Sequence, residues 1–124
     1  MNKLLYIFIG GGLGASARYA ISLLTLKLTK PIWVGTFLVN VIGCLVLGYI
    51  FGFALSKPSL LPENIKLGIT VGFLGGLTTF STFGLETFTF LKDGKLLAGL
   101  GYILASCVMG ILCAGLGYWL ANRI

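Results

Sequence analysis

The chain has 124 residues, of which 57% are hydrophobic and only 10% are charged, and its net charge is +6. Soluble globular domains carry about 25% charged residues, so this chain lacks the polar surface that a water-facing domain needs. Its basic residues stand singly between apolar stretches, a pattern typical of loops that flank membrane spans. The composition predicts an integral membrane protein and argues against soluble enzymes, nucleic-acid binders and secreted disulfide scaffolds.

Four apolar stretches are each long enough to form a membrane-spanning helix, which needs about 20 mainly apolar residues. They cover residues 4–26, 32–55, 67–90 and 96–120. None of them alternates polar and apolar residues as the strands of a membrane β-barrel do. We therefore expect residues 1–124 to form one all-α, multi-pass domain in the lipid bilayer, with no enzymatic activity and no nucleic-acid partner.

The first two spans each contain one polar group at an unusual depth. Arg18 lies deep in the first span, where ionisable residues usually have a function. It could attract anions from a vestibule or brace helix ends by pairing with carbonyl groups. Asn40 in the second span could donate an N–H to an anion or form a hydrogen bond between helices, and these two roles are equally compatible with the sequence.

The third span contains Gly75-Gly76 followed by two β-branched threonines, a poor sequence for a helix interior. We predict a break near the middle of this span, at about Gly75–Thr79, where irregular backbone must be buried in protein or line a wet cavity. The freed carbonyls of Gly75 and Thr78 could bind a small cation, and the start of the next half-helix favours an anion. A kinked, tightly packed helix is the alternative.

Hydroxyls and phenyl rings follow the predicted break. Four hydroxyl side chains are too many for a lipid-facing segment and predict a polar track: Thr78, Thr79, Ser81 and Thr82. Phe80 and Phe83 lie three residues apart and share a helix face, where they could be ordinary core or line an anion path with their electropositive ring edges. Glu86, about a turn later, could line the same vestibule or reach the membrane surface.

The fourth span places Tyr102 and Ser106 four residues apart on one helix face, where they could face the same track. Trp33 and Trp119 lie near span ends, at the depth where amphipathic aromatic rings anchor helices in the membrane interface. That position supports the predicted boundaries and indicates no function. Several Gly-x-x-x-Gly pairs, including Gly10/Gly14 and Gly48/Gly52, predict close helix packing.

The loop charges are balanced across the membrane. With four spans, the side that carries both termini has Lys3, Lys57, Lys66 and Arg123, and the opposite side has Lys27, Lys30, Lys92 and Lys95. An excess of Lys and Arg normally fixes the orientation of a membrane protein, and here there is none. Chance cancellation is one explanation, and the other is dual topology, in which two oppositely inserted copies pair as an antiparallel homodimer.

These motifs resemble the Fluc (CrcB) family of small fluoride channels. Three blocks carry the resemblance, namely residues 12–19, 35–43 and 72–83. The last block contains Gly-Gly-Leu-Thr-Thr-Phe-Ser-Thr-Phe, which is long and unusual. The resemblance spans essentially the whole chain in order and spacing, and it implies four helices per chain, a broken third helix and an antiparallel dual-topology homodimer with two fluoride pores.

The resemblance also implies roles for individual residues. Phe80 and Phe83 would form an aromatic box and Asn40 a pore-lining amide, while Ser81, Thr82, Tyr102 and Ser106 would belong to the polar track. The carbonyls of Gly75 and Thr78, two from each chain, would hold a central structural sodium ion. One position departs from the family pattern, since Gly110 stands where a hydroxyl residue often follows Ser106 by one turn.

The implied activity is passive export of fluoride across the bacterial plasma (inner) membrane, down its electrochemical gradient. The residues alone do not distinguish fluoride from chloride. The rival hypothesis is a small multidrug exporter, another four-helix dual-topology dimer. Proton-coupled export of organic cations needs a membrane-embedded carboxylate in the first span, and that span contains Arg18 and no acid.

Overall fold

A computed structural model of the chain describes residues 2–29 and 31–123, so Lys30, counted above among the loop charges, lies outside the described residues. Every regular element in the described part is helical, which confirms the all-α prediction. The α-helices are α1 (Lys3–Thr29), α2 (Trp33–Ser56), α3 (Glu63–Leu67), α4 (Gly75–Leu77), α5 (Phe80–Lys92) and α6 (Leu96–Ala121). A 3-10 turn at Pro58–Leu60 and a π-helical segment at Gly68–Leu74 complete the chain.

Four helical stretches are long and apolar enough to cross a membrane, as predicted: Lys3–Thr29, Trp33–Ser56, Glu63–Lys92 and Leu96–Ala121. The third stretch is composite, because α3, the π-helical segment, α4 and α5 follow one another within it. Its helix starts at Glu63, four residues before the apolar run, directly after the extended Pro62. The chain is therefore a multi-pass membrane protein.

The third span is interrupted near its middle, as predicted, but the interruption is shorter than expected. Only Thr78 and Thr79 are extended, with φ and ψ of −80° and 156° and of −151° and 117°. The prediction that the break begins at Gly75 was wrong, since α4 keeps Gly75 and Gly76 helical. Gly76 packs closely on α1, where an added Cβ would lie 2.5 Å from the Gly11 carbonyl oxygen, so this glycine serves close approach rather than chain breaking.

Glycines allow close packing within two pairs of spans, the second with the fourth and the first with the third. Along α2 and α6, an added Cβ on Gly48 would overlap the Ala114 carbonyl, and one on Gly117 would overlap the Leu45 carbonyl. Similar contacts join α1 to the first half of the third span, where Gly10 meets the Gly68 carbonyl. The Gly-x-x-x-Gly pairs therefore serve packing within one chain, and they leave the broken third span beside α2.

The buried core is small. Val39, Leu74 and Leu77 form it, with Ile21 and Phe73 among the apolar side chains packed around it. Most large apolar side chains of the described residues are exposed, as expected of a chain surrounded by lipid. The core lies directly against the break, because Leu74 and Leu77 precede Thr78 and Val39 precedes Asn40.

Candidate functional site

The Asn40 side chain spans the break in the third helix. Its Oδ1 accepts a hydrogen bond from the Thr79 backbone N–H at 2.7 Å, and its Nδ2 donates to the Thr79 carbonyl at 3.1 Å. In a continuous helix, that N–H would bond the Gly75 carbonyl instead. Asn40 therefore replaces the helical hydrogen bond that the Thr79 N–H gives up and adds one to the Thr79 carbonyl, which is the interhelical role that the sequence left open.

Three hydroxyl side chains cluster where α5 begins. Thr79 is the N-cap of α5, since its Oγ1 accepts from the Thr82 backbone N–H at 3.3 Å. The same hydroxyl donates to Thr82 Oγ1 at 3.0 Å and lies 3.4 Å from Ser81 Oγ. Ser81 is exposed, so its hydroxyl is accessible. The cluster stands at a helix N-terminus, where the positive end of the helix dipole favours an anion.

The carbonyls predicted to bind a cation lie on the other side of the break. Both Gly75 and Thr78 line a cavity of about 300 Å³, together with Asn40 and Phe80. The Thr78 carbonyl accepts a long hydrogen bond of 3.5 Å from Arg18 Nη1. Of the two roles that the sequence left open for Arg18, this contact favours bracing of a helix end, while the second lone pair of the carbonyl stays available.

Aromatic rings continue the line from the break along α5 to α6. The ring centroids of Phe80 and Phe83 are 5.8 Å apart, so the two rings share a face as predicted, and the Phe83 and Tyr102 centroids are 5.1 Å apart. Phe80 is 83% exposed, whereas Tyr102 is only 6% exposed. The line of rings therefore begins on the open surface of this chain and ends between its helices.

Glu86 closes the line with two short hydrogen bonds from neighbouring helices. Tyr102 Oη donates to Glu86 Oε2 at 2.7 Å, and Thr36 Oγ1 donates to Glu86 Oε1 at 2.8 Å. Glu86 therefore faces inward rather than reaching the membrane surface. The sequence prediction missed Thr36, although a hydroxyl four residues before Asn40 shares its helix face and could have indicated it.

Two further hydroxyls lie buried on the facing helices α5 and α6. The Oγ atoms of Ser106 and Thr87 have no hydrogen-bond partner in the described part of the chain. Buried hydroxyls are normally hydrogen-bonded, so these two stand out among the described residues. Ser106 was predicted as a track residue from its position, and Thr87, which is 8% exposed, was not predicted.

Gly110, the position that departs from the family pattern, packs against α2. A Cβ there would lie 3.5 Å from Cys44 Sγ, which is ordinary contact distance. The structure thus forms two groups that adjoin at the start of α5: Thr79 contacts Asn40, Ser81 and Thr82, and a line of contacts runs through Phe80, Phe83, Tyr102 and Glu86. Gly75 and Thr78 line the cavity together with Asn40 and Phe80, and Arg18 contacts the Thr78 carbonyl. Ser106 lies one turn beyond Tyr102 on α6, and its Oγ forms no hydrogen bond to these described residues. The roles predicted for these residues in ion conduction remain predictions.

Comparisons with known proteins place the chain among relatives of similar length. Residues 5–118 match the family described as "CrcB-like protein, Camphor Resistance (CrcB)". A protein of Syntrophotalea carbinolica is 42% identical over 122 residues, with 98% of each chain covered. One of Chloroflexus aurantiacus is 40% identical over 124 residues, covering 96% of this chain and 98% of the relative. One of Dehalococcoides mccartyi is 40% identical over 125 residues, covering 100% and 95%.

All three relatives carry the name "Fluoride-specific ion channel FluC". The family match covers more than nine-tenths of the chain, including the break and the line of rings. On the strength of that match and of these full-length relatives, the chain belongs to the CrcB family.

Proposed function

We propose that the chain is a subunit of a passive, fluoride-selective ion channel and has no enzymatic activity. The observation that carries the proposal is the hydroxyl cluster at the start of α5 together with the connected side chains that follow it, from Phe80 and Phe83 through Tyr102 to Glu86. Relatives that align over almost their full length are named fluoride-specific ion channels.

The chemistry of the line suits a small, strongly hydrated anion. Ser81 and Thr82 offer O–H donors at the positive end of α5, and they can replace water around the ion. The edges of Phe80 and Phe83 are electropositive, so they can attract an anion without binding it too tightly for release. Asn40 stabilises the break through its two hydrogen bonds to Thr79, and its Nδ2 carries a second N–H besides the one that bonds the Thr79 carbonyl.

The proposed working unit is an antiparallel homodimer. The first ring of the line, Phe80, is 83% exposed in one chain, which leaves the path without an outer wall at that point. A second copy inserted in the opposite orientation would supply the wall and the symmetry that transport sites often use. The equal numbers of basic residues on the two sides favour insertion in both orientations.

A structural sodium ion at the dimer centre is part of the proposal. Gly75 and Thr78 line one cavity, and the usual helical donors to their carbonyls are diverted, because the N–H groups of Thr79 and Thr82 bond side chains. Hard cations prefer oxygen ligands, and uncharged carbonyls suit a monovalent one. Two carbonyls are few for a cation, so the partner copy would add two more. The ion would supply positive charge between the broken helix ends of the two copies.

The proposed channel works in the bacterial plasma (inner) membrane and needs no energy source. Hydrogen fluoride crosses a membrane as a neutral acid and dissociates in the less acidic cytoplasm, which traps the anion. A passive channel lets the trapped fluoride leave down its electrochemical gradient. No proton-binding group has to alternate between the two sides, in contrast to an exporter of organic cations.

Efflux from liposomes tests the proposal. Liposomes containing the purified protein are loaded with fluoride or chloride, and release is followed with ion-selective electrodes. We expect fast fluoride release without chloride release, and loss of fluoride release in Phe80→Ile. Phe88→Ile is the matched control, because Phe88 is an exposed ring on the same helix outside the line. Fluoride release no faster than from empty liposomes, or equal release of chloride, would refute the proposal.

A further inference from the structure

Tyr102 is held by three aromatic rings, only one of which belongs to the proposed ion path. The Phe83 centroid lies 5.1 Å from the Tyr102 centroid, that of Trp33 5.6 Å and that of Phe90 6.0 Å. The Trp33 and Phe90 rings also contact each other, with centroids 6.5 Å apart. Trp33 and Phe90 together form what we call the aromatic clasp of Tyr102.

The clasp lies directly beside the hydrogen bonds of Glu86. Trp33 is in the first turn of α2, three residues before Thr36, so the two share a helix face. Thr36 and Tyr102 donate to the two oxygens of Glu86. Trp33 therefore packs against the donor Tyr102 and precedes the donor Thr36 by one helical turn. Glu86 accepts a hydrogen bond from each of them.

Trp33 contacts Tyr102 and also lines an open cavity. A cavity of about 270 Å³ lies at this end of the helices, and its lining includes Trp33, Phe90 and Glu86. Trp33 is 36% exposed, so its ring closes this cavity only in part. Without the indole ring, the phenol ring could tilt into the cavity and its hydroxyl would leave Glu86 Oε2.

We propose that Trp33 is a positioning residue of the channel, which acts by holding the Tyr102 hydroxyl on Glu86, and not merely a membrane anchor. This inference rests on the proposed function, because the line that Tyr102 completes is the proposed fluoride path. Anchoring alone does not account for the contacts of Trp33. The other interface tryptophan, Trp119, lies at the opposite end of the helices and provides a matched control. Its ring centroid is 4.5 Å from Cζ of Arg123.

Fluoride efflux from liposomes tests the proposal in six proteins: the parent, Trp33→Leu, Trp33→Phe, Tyr102→Phe, the double variant Trp33→Leu/Tyr102→Phe and the control Trp119→Leu. The free energy of one aromatic contact corresponds to about a three- to tenfold change in the equilibrium between the Tyr102 hydroxyl bonded to Glu86 and the hydroxyl displaced from it. We therefore expect Trp33→Leu to slow fluoride efflux by about that factor. Trp33→Phe keeps a ring and should stay near the parental rate, as should Trp119→Leu.

The double variant separates positioning from general damage. If Trp33 acts through the Tyr102 hydroxyl, Trp33→Leu should slow the Tyr102→Phe channel by less than about twofold, because coupled residues are not additive. Multiplicative effects, or a Trp33→Leu rate within twofold of the parent, would overturn the proposal. Should Trp33→Leu fail to fold, Phe90→Leu removes the other half of the clasp, and the same outcomes apply.

A second readout does not depend on fluoride flux. Acetylation of Tyr102 by N-acetylimidazole, followed by peptide mass spectrometry on detergent-solubilised protein, reports how well the phenol is protected. We expect faster acetylation of Tyr102 in Trp33→Leu and an unchanged rate in Trp119→Leu. Faster acetylation in a protein that releases no fluoride would support the clasp and refute the channel, whereas unchanged acetylation in a conducting protein would refute the clasp alone.

Discussion

Replacing Asn40 by leucine, which has nearly the same shape, removes both hydrogen bonds that span the break. The Thr79 N–H then loses its partner at 2.7 Å, and the Thr79 carbonyl loses the hydrogen bond of 3.1 Å from Asn40 Nδ2. Hydrogen bonds within membrane proteins contribute about 0.6 kcal/mol on average and up to ~1.7 kcal/mol. The two bonds together therefore stabilise the state in which Asn40 is bonded to Thr79 by about 1–3 kcal/mol. In Asn40→Leu, that free energy corresponds to a rise of about 5- to 150-fold in the equilibrium constant for exposing the Thr79 backbone.

Hydrogen–deuterium exchange at the Thr79 amide measures this shift directly. We expect exchange at Thr79 to be about 5- to 150-fold faster in Asn40→Leu than in the parent, with slower fluoride efflux from liposomes. Asn40→Asp keeps the acceptor for the Thr79 N–H and should protect that amide better than leucine does. Asn122→Leu is the matched control, because Asn122 also bonds a backbone carbonyl, that of Tyr118, but at the exposed end of α6. Unchanged exchange at Thr79 in Asn40→Leu would refute the reasoning.

Two further predictions concern helix packing and sodium. Gly48→Ala should lower the thermal stability of the purified protein by about 1–3 kcal/mol, because its Cβ would overlap the Ala114 carbonyl, while Gly101→Ala, with open space around it, should be neutral or stabilising. A stable Gly48→Ala protein would show that α2 and α6 pack less closely. Replacing sodium by N-methylglucamine should lower the unfolding temperature of the dimer and slow fluoride efflux, and identical melting curves in the two cations would argue against a structural sodium ion.

Local sequence patterns predicted the spans, the break and the pairing of two rings, because each of these depends on residues close together in the chain. Apolar length identified the four spans, and a three-residue spacing placed Phe80 beside Phe83. The start of the break was predicted too early, since Gly-Gly was interpreted as chain breaking. In the structure, Gly76 permits close packing on α1, a contact that depends on a helix about 60 residues away.

Long-range contacts were beyond the sequence for the same reason. Asn40 bonds Thr79 across 39 residues, and Thr36 bonds Glu86 across 50. A single sequence indicates that each of these groups is costly in a membrane but not which group satisfies which. Trp33 shows the limit most clearly, because its position at a span end predicts an interface anchor, and only the fold brings its ring against Tyr102.

Most polar residues of the line hold the fold together, so loss of fluoride flux on their substitution has two possible causes. Asn40 closes the break, Thr79 caps α5, and Tyr102 with Thr36 fixes Glu86. Phe80 and Ser81 are different, because both are exposed in the single chain. Substitutions at exposed positions usually change stability by less than about 0.5 kcal/mol. A Phe80 variant that folds, pairs and fails to conduct would therefore implicate the ion path itself, which makes it the most direct test of the proposed function.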